Sequence, residues 1–202
     1  MTRASIALAA SVALLGVTAT LAGCMASSPR TPAAEEARDP EVPPPPAGAI
    51  EPPYTASEIA RCHPVGTFTT YRITRGGTTI EQRTEWIAAD VDSCRMKATT
   101  VDSDGNALPE TEGSALWWEL RDHAAFPREA TAESRERIEV ASGSYDCTLL
   151  TVRRGPEERR SIDRFWFDRG SAGSPVLYVQ EVEGREVMRM ELIATNRRSL
   201  DD

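Results

Sequence analysis

The side chains best suited to chemistry in this 202-residue chain are four cysteines and two histidines. Cys62 and His63 are adjacent, but no second Cys or His pair stands at the spacing of a zinc finger. His123 follows Asp122 in a polar stretch, which is typical of an exposed histidine. The segment 142–144 (Ser-Gly-Ser) indicates a turn and lacks the Gly-x-Ser-x-Gly pattern of a nucleophilic serine. We therefore predict no catalytic residue and no metal ligand.

Carboxylates leave an enzymatic alternative open. They are plentiful on the predicted strands, for example at Glu81, Glu85, Glu112 and Glu119. No spacing marks a catalytic pair among them, and solvated strand faces have the same composition. No phosphate-binding glycine loop or dinucleotide fingerprint occurs, so no cofactor is predicted. An envelope hydrolase with an unrecognised carboxylate site is the alternative to a non-catalytic protein.

One cysteine near the N-terminus stands in a defined setting. Arg3 precedes an apolar stretch from Ile6 to Leu21, and the stretch ends in Leu21-Ala22-Gly23-Cys24. A charged start, a short apolar middle and a small-residue exit are the parts of a signal peptide. The four final residues resemble the lipobox of bacterial lipoproteins. That resemblance implies that residues 1–23 are removed and that Cys24 is acylated.

The charge of the chain limits its partners. It has 31 acidic and 23 basic residues, and loss of residues 1–23, with one Arg, changes the net charge from −8 to −9. An acidic chain lacks the basic surface that binds nucleic acid or anionic lipid heads. The predicted membrane contact is therefore made by the acyl chains on Cys24. In Gram-negative lipoproteins resembling this one, Asp after that Cys retains the protein at the inner membrane. Met25 stands there instead, which implies the outer membrane.

Composition divides the rest of the chain into a spacer and a head. Residues 24–53 contain nine prolines, four of them consecutive, and such a segment favours an extended polyproline helix over a packed core. Residues 54–198 form one domain by length, and residues 199–202 form a short tail. Thr55 and Glu58 have the spacing of a capping box, which predicts a short helix through Arg61.

Beyond that helix, apolar and polar residues alternate with a period of two, which predicts β-strands. Gly76-Gly77 predicts a tight hairpin turn that places Phe68 beside Glu85. Residues 121–136 are expected to form a loop or a short helix. The predicted head is mainly β, a single curved antiparallel sheet or incomplete barrel with a short N-terminal helix. Its nine strands are 67–74, 79–88, 94–101, 115–120, 137–140, 145–153, 162–168, 176–182 and 187–194.

The last third of the chain carries a second resemblance. A strand with Gly143-Ser144-Tyr145-Asp146-Cys147 is followed by Phe165-Trp166-Phe167 and a turn rich in Gly, Ser and Pro. This order resembles bacterial envelope domains of unknown function, which are similar in fold to the lipoprotein carriers LolA and LolB. The resemblance implies a curved, incomplete antiparallel barrel with a helical lid. Tyr145 stands where those domains favour Phe.

Export to an oxidising compartment favours a disulfide. Extending the first hairpin brings Cys62 near Val91, and the next turn brings Cys94 to the same end of the sheet. We predict a Cys62–Cys94 disulfide with Cys147 free. A Cys94–Cys147 pair and three free thiols are the alternatives.

Strand alternation also gives one face of the sheet an apolar set that could line a groove. The helical covers are small, and exposed apolar area of several hundred Å² usually marks a binding site. Methionine suits such a site because its flexible thioether adapts to varied ligands. We predict that the head binds an apolar or lipid-like ligand there, or acts as an interaction module, without catalysis. The competing expectation is that these side chains fill the interior. The set is Ile80, Trp86, Met96, Met188, Met190 and Leu192.

Overall fold

The computed structural model describes residues 42–155 and 160–201, all within one compact unit that spans residues 39–202. The predicted lipobox and the first part of the Pro-rich segment lie outside the described residues. The helices are α1 (Ala56–Cys62) and α2 (Trp117–Asp122), with a 3-10 turn at Arg128–Ala130. No helix in the described ranges is long and apolar enough to cross a membrane. The strands are β1 (Phe68–Arg75), β2 (Thr78–Ala89), β3 (Ser93–Val101), β4 (Thr111–Leu116), β5 (Thr131–Val140), β6 (Gly143–Arg154), β7 (Ser161–Asp168), β8 (Leu177–Val182) and β9 (Arg185–Thr195).

The nine strands form one open antiparallel sheet in the order β4-β3-β2-β1-β9-β8-β7-β6-β5. Strands that follow one another in the chain pair within each half, and the first and last strands join the halves at the centre. The two edges are β4 and β5, so the sheet is not closed. The predicted fold class, a mainly β single antiparallel sheet with a short N-terminal helix, is confirmed.

Two local predictions hold in detail. The β1–β2 hairpin turns at Gly76 and Gly77, both with positive φ, and pairs Phe68 with Glu85 as predicted. At the start of α1, the Thr55 hydroxyl accepts from the Glu58 N–H at 3.2 Å. The Glu58 carboxylate accepts from the Thr55 N–H at 2.8 Å, which completes the capping box.

The strand predicted at 115–120 is wrong from Trp117 onward. β4 ends at Leu116, and α2 begins at Trp117. Two contacts explain the change of direction. The Glu119 carboxylate accepts from the Leu116 N–H at 2.9 Å, and the Trp117 indole N–H donates to the Asp90 carbonyl at 3.0 Å. The backbone direction at Trp117 therefore depends on a hydrogen-bond partner 27 residues away and not on the local alternation of apolar and polar residues.

The core has two clusters of buried side chains. The first packs α1 and α2 against one face of the sheet, which we call the helical face. Its members include Ile59, Cys62, Trp86, Cys94, Trp117, Leu150, Val152 and Phe167. The second cluster includes Tyr71, Val140, Cys147, Trp166, Val176, Leu177, Val179 and Leu192.

The described end of the Pro-rich segment lies against the head. The Ile50 N–H donates to the Phe126 carbonyl at 2.8 Å, and the buried Arg121 donates to the Pro43 carbonyl at 2.7 Å. Ile50 also packs against the first cluster. The chain therefore enters the head beside Phe126, on the side of the molecule that carries the helical face.

Candidate functional site

Half-buried apolar side chains cross the helical face from β2 to β8. Cross-strand pairing places Ile80 opposite Ile73, Ile73 opposite Met190, and Met190 opposite Tyr178. The row continues to Phe165, which packs against the first cluster and so identifies the face. All of these residues keep part of their surface exposed. Together with Met188, one pairing step along β9, the first four form what we call the apolar strip: Ile73, Ile80, Met188, Met190 and Tyr178.

All six residues of the predicted groove lie on the helical face by strand alternation, but they differ in access. Trp86 and Leu192 are 5% and 0% exposed and belong to the two clusters, so they pack the interior. Met96 packs against the first cluster. The other three are half-buried members of the apolar strip: Ile80, Met188 and Met190. The strip also contains Ile73 and Tyr178, which are not among the predicted groove residues.

A buried carboxylate borders the strip. Asp163 is 2% exposed and lies opposite Gln180, which in turn lies opposite Met188. Its Oδ1 accepts from the Gln180 amide at 3.0 Å and from the Tyr178 hydroxyl at 3.2 Å, and its Oδ2 accepts from the Arg154 Nε at 2.6 Å. Burial, with the nearby Asp163 charge, raises the pKa of Tyr178 to about 12. The phenol therefore stays protonated and acts as a donor at neutral pH.

Stacked aromatic rings close one end of the strip. Phe165 stacks on Tyr178 with ring centroids 4.7 Å apart and on Phe126 with centroids 4.6 Å apart. The Arg154 guanidinium lies 5.9 Å from the centre of the Phe126 ring. The Phe126 carbonyl also accepts the hydrogen bond from the Ile50 N–H, where the Pro-rich segment meets the head. At this end, the strip is therefore bordered by three aromatic rings and the Arg154 guanidinium.

Two shallow depressions lie elsewhere, and neither is lined by a predicted groove residue. The first, of about 170 Å³, is lined by Arg135, Glu136, Arg137, Asp146, Cys147 and Arg169. The second, of about 310 Å³, is lined by Ala88, Ala89, Asp90, Ser93, Cys94, Arg95 and Ser114. The first has a mainly polar lining, and the lining of the second is mixed. The apolar strip is an open surface that neither of these depressions encloses.

Carboxylates gather around Cys147 in the first depression, but the thiol among them is inert. Burial, followed by the charges of Asp168, Asp146 and Glu136, raises the pKa of Cys147 to about 12. The thiolate is the nucleophilic form, so this cysteine is unreactive at neutral pH. Glu136 accepts from the Trp166 indole at 2.9 Å. This carboxylate is already engaged in a structural hydrogen bond.

The Cys62–Cys94 disulfide stays a prediction, and the structure has these thiols unpaired. Cys62, Cys94 and Cys147 are all free and buried. The prediction extended the β1–β2 ladder back to Cys62, but that ladder begins at Phe68 and Cys62 ends α1. Cys62 is therefore not held opposite Val91 in a strand pair. Burial raises the pKa of Cys94 to about 11, which makes this thiol unreactive as well.

His63 has a structural setting. It is 1% exposed, its Nδ1 lies 2.8 Å from the Ile59 carbonyl, and its ring packs against Trp86 in a tilted arrangement with ring centroids 4.2 Å apart. Burial lowers the pKa of His63 to about 4. His123 is exposed. Across residues 42–155 and 160–201, no group of three or more His, Cys, Asp or Glu side chains is arranged to hold a metal ion.

Comparison with known proteins identifies no family. No protein-family model matches the chain, and no curated protein matches it. Among solved structures, the chain is similar to a protein from Parabacteroides distasonis described as a putative lipoprotein, with 8% identity, a TM-score of 0.48, and coverage of 68% of this chain and 98% of that one.

It is also similar to the MucA/MucB complex of Pseudomonas aeruginosa, with 15% identity and a TM-score of 0.46. A structure of MucB in complex with MucA(peri) has 16% identity and a TM-score of 0.49. These matches cover 69% and 70% of this chain, which spans about half, 54%, of each matched chain.

Proposed function

We propose that this chain is a non-catalytic, lipid-anchored protein of the bacterial envelope whose sheet binds an apolar, lipid-like ligand on its helical face. The anchor is Cys24, acylated after removal of residues 1–23. Residues 24–53 link this anchor to the head of residues 54–198, which ends in a tail of residues 199–202. The resemblance of Leu21–Cys24 to a lipobox supports this arrangement.

The apolar strip is the observation that carries the ligand-binding part. Ile80 and Met188 belong to neither buried cluster, and Ile73 and Met190 lie only at the margin of the second. A sheet face that buries its apolar residues for stability alone would cover such a row with its own helices. Here α1 and α2 pack over Trp86, Cys94 and Phe167 instead. The strip remains accessible to a ligand.

The reactive side chains support a binding role over a hydrolytic one. The buried Asp163 is held by Arg154, Tyr178 and Gln180, so its lone pairs are occupied by protein donors. The raised pKa values of Cys94 and Cys147 remove them as nucleophiles at neutral pH. The groups bordering the strip therefore suit recognition of a ligand rather than bond cleavage.

A binding experiment tests the ligand. A fluorescent fatty acid is titrated into the chain from residue 25, which keeps the compact unit of residues 39–202. Met190→Glu places a charge in the strip and should abolish saturable binding. Val101→Glu is the matched control, since Val101 is 40% exposed and lies opposite Glu81, on the other face from the neighbouring Ile80. It should bind as the wild type does.

Two outcomes would contradict this function: no saturable binding by the wild type, or unchanged binding by a folded Met190→Glu protein. Thermal melting shows whether the variant folds. If Met190→Glu unfolds, Ile80→Gln replaces it, because Ile80 lies in neither buried cluster. A wild type that binds no lipid would instead be an interaction module.

The anchor is tested separately in the cell. Labelled palmitate should be incorporated into the wild type and not into Cys24→Ala, which should be uncleaved or soluble. Met25→Asp should move a Gram-negative lipoprotein from the outer to the inner membrane. A Cys24→Ala protein that is still processed and membrane-bound would refute the lipobox.

A further inference from the structure

Two arginines border the apolar strip along the next row of paired residues. Arg75 of β1 lies directly opposite Met188 of β9, and Arg154 of β6 reaches Asp163 on the neighbouring strand. The charges of both guanidinium groups act to lower the pKa of Tyr178, against the larger effects of burial and Asp163. The Tyr178 hydroxyl therefore lies within the electrostatic field of both arginines.

Asp163 sets the direction of Arg154. The Arg154 Nε donates to the Asp163 carboxylate at 2.6 Å, and Tyr178 and Gln180 hold that carboxylate from its other oxygen. The Arg154 side chain is nevertheless 53% exposed. Arginine has five N–H donors, and this contact uses only one of them. The terminal amino groups are thus presented to solvent in a defined direction beside the strip.

Arg75 supplies a positive charge with no counter-charge. It is exposed, and it has no ion-pair partner within residues 42–155 and 160–201. Two arginines against one aspartate leave this group with a net charge of +1. The whole chain carries −8, so the charge at the strip is opposite in sign to that of the protein. The complementary ligand group is an anion.

The row beside these charges is long enough to hold a large part of an extended acyl chain. Ile80, Ile73, Met190 and Tyr178 lie on four neighbouring strands, which spans about 14 Å at about 4.8 Å per strand. Only Tyr178, at the end of the row, has a polar group. That hydroxyl lies where the two arginine fields overlap. The row therefore has an apolar length and a polar, cationic end.

We propose that the strip binds a single acyl chain along Ile80, Ile73 and Met190, with its anionic head, a carboxylate or a phosphate, between Arg75 and Arg154. This rests on the proposed function and names the class of its ligand. Asp163 acts as a positioning residue, because it fixes Arg154 and the Tyr178 hydroxyl without meeting the ligand. Arg75 contributes the uncompensated charge that selects an anion.

The test separates the head of the ligand from its chain. cis-Parinaric acid and its methyl ester have the same chain, and only the acid is charged. Both are titrated into the chain from residue 25 and into Arg75→Gln. Arg95→Gln is the matched control, because Arg95 is also an exposed strand arginine but alternates with Met96 and so faces away from the strip.

We expect the wild type to bind the acid about tenfold more tightly than the ester. Arg75→Gln should lower the affinity for the acid to that for the ester and leave the ester unchanged, and Arg95→Gln should alter neither. Higher salt should narrow the gap between acid and ester. Palmitate and lysophosphatidic acid, added as competitors, show whether a carboxylate or a phosphate head displaces the probe better.

Equal wild-type affinities for acid and ester would overturn the anionic head and leave the proposed apolar binding intact. An Arg75→Gln variant that binds both ligands more weakly by the same factor would also overturn the anionic head. Failure of both ligands to bind the folded wild type would refute the proposed function itself. The two failures are therefore distinguishable in one set of titrations.

Discussion

Gly173 and His63 are in such close contact that a Cβ on Gly173 would lie 2.5 Å from the His63 Cε1 and 2.9 Å from its Nε2. The same atom would lie 2.9 Å from Arg197 Nη1. The His63 ring has little freedom to move aside, because it packs against Trp86 and its Nδ1 is 2.8 Å from the Ile59 carbonyl. The loop between β7 and β8 can therefore pack this closely against the end of α1 only because residue 173 has no side chain.

Gly173→Ala should strongly destabilise the head. Gly173 has φ of +137°, so the backbone strain and the clash with His63 add to about 3–4 kcal/mol in the free energy of unfolding. Gly143→Ala is the matched control: its φ is +139°, but its nearest atom would be 4.0 Å away. It should cost about 1–2 kcal/mol. Urea unfolding of both variants measures the difference, and equal losses would argue against the clash.

His63 should make the protein less stable in acid. Burial, more than the nearby Arg197 charge, lowers its pKa from 6.5 to about 4. Between these values the unfolded chain binds a proton that the folded chain does not, so stability falls as the pH drops from about 6.5 towards 4. Above pH 6.5 both states are neutral at this position, and the contribution is constant.

The expected size at pH 4.5 is about 2–3 kcal/mol. His63→Asn removes the titrating group, so its unfolding free energy should change less between pH 7 and pH 4.5 than that of the wild type. Urea unfolding at the two pH values gives this double difference. An identical drop in both proteins would assign the acid sensitivity to other groups.

The strand framework was predictable from the sequence because it depends on local signals. Alternation with a period of two and the Gly76-Gly77 turn together set the register of Phe68 with Glu85. The failures have non-local causes. Trp117 starts a helix because Asp90, far away in sequence, accepts its indole N–H. β5 was predicted six residues short because an edge strand exposed on both faces shows no apolar alternation.

The candidate site was predictable only in part. Alternation placed Ile80, Met188 and Met190 on the correct face, but it does not distinguish a half-exposed residue from a filled core position such as Leu192. Asp163 was missed, since nothing in its local sequence marks it as buried. Only the β7–β8 register places it opposite Gln180.

Asp163 should contribute more to stability than an exposed ion pair. Asp163→Ala removes the acceptor of Arg154, Tyr178 and Gln180 at once and should cost about 2–3 kcal/mol. A double-mutant cycle with Arg154→Ala isolates their coupling. The exposed Arg72–Glu81 pair, 3.0 Å apart, is the control and should couple by less than about 1 kcal/mol. Equal coupling energies in the two cycles would contradict the claim that burial makes the Asp163–Arg154 pair more stabilising than an exposed one.

The three thiols of the head should be shielded and unpaired. All three are buried, and burial is the largest cause of the raised pKa values of Cys94 and Cys147. A thiol reagent at pH 8 should label none of them in the native chain from residue 25 and all three in urea without reductant. Cys147→Ser should lower the denatured count to two. A count of one in wild-type protein recovered from the envelope, with a linked peptide containing Cys62 and Cys94, would show that the disulfide forms after export.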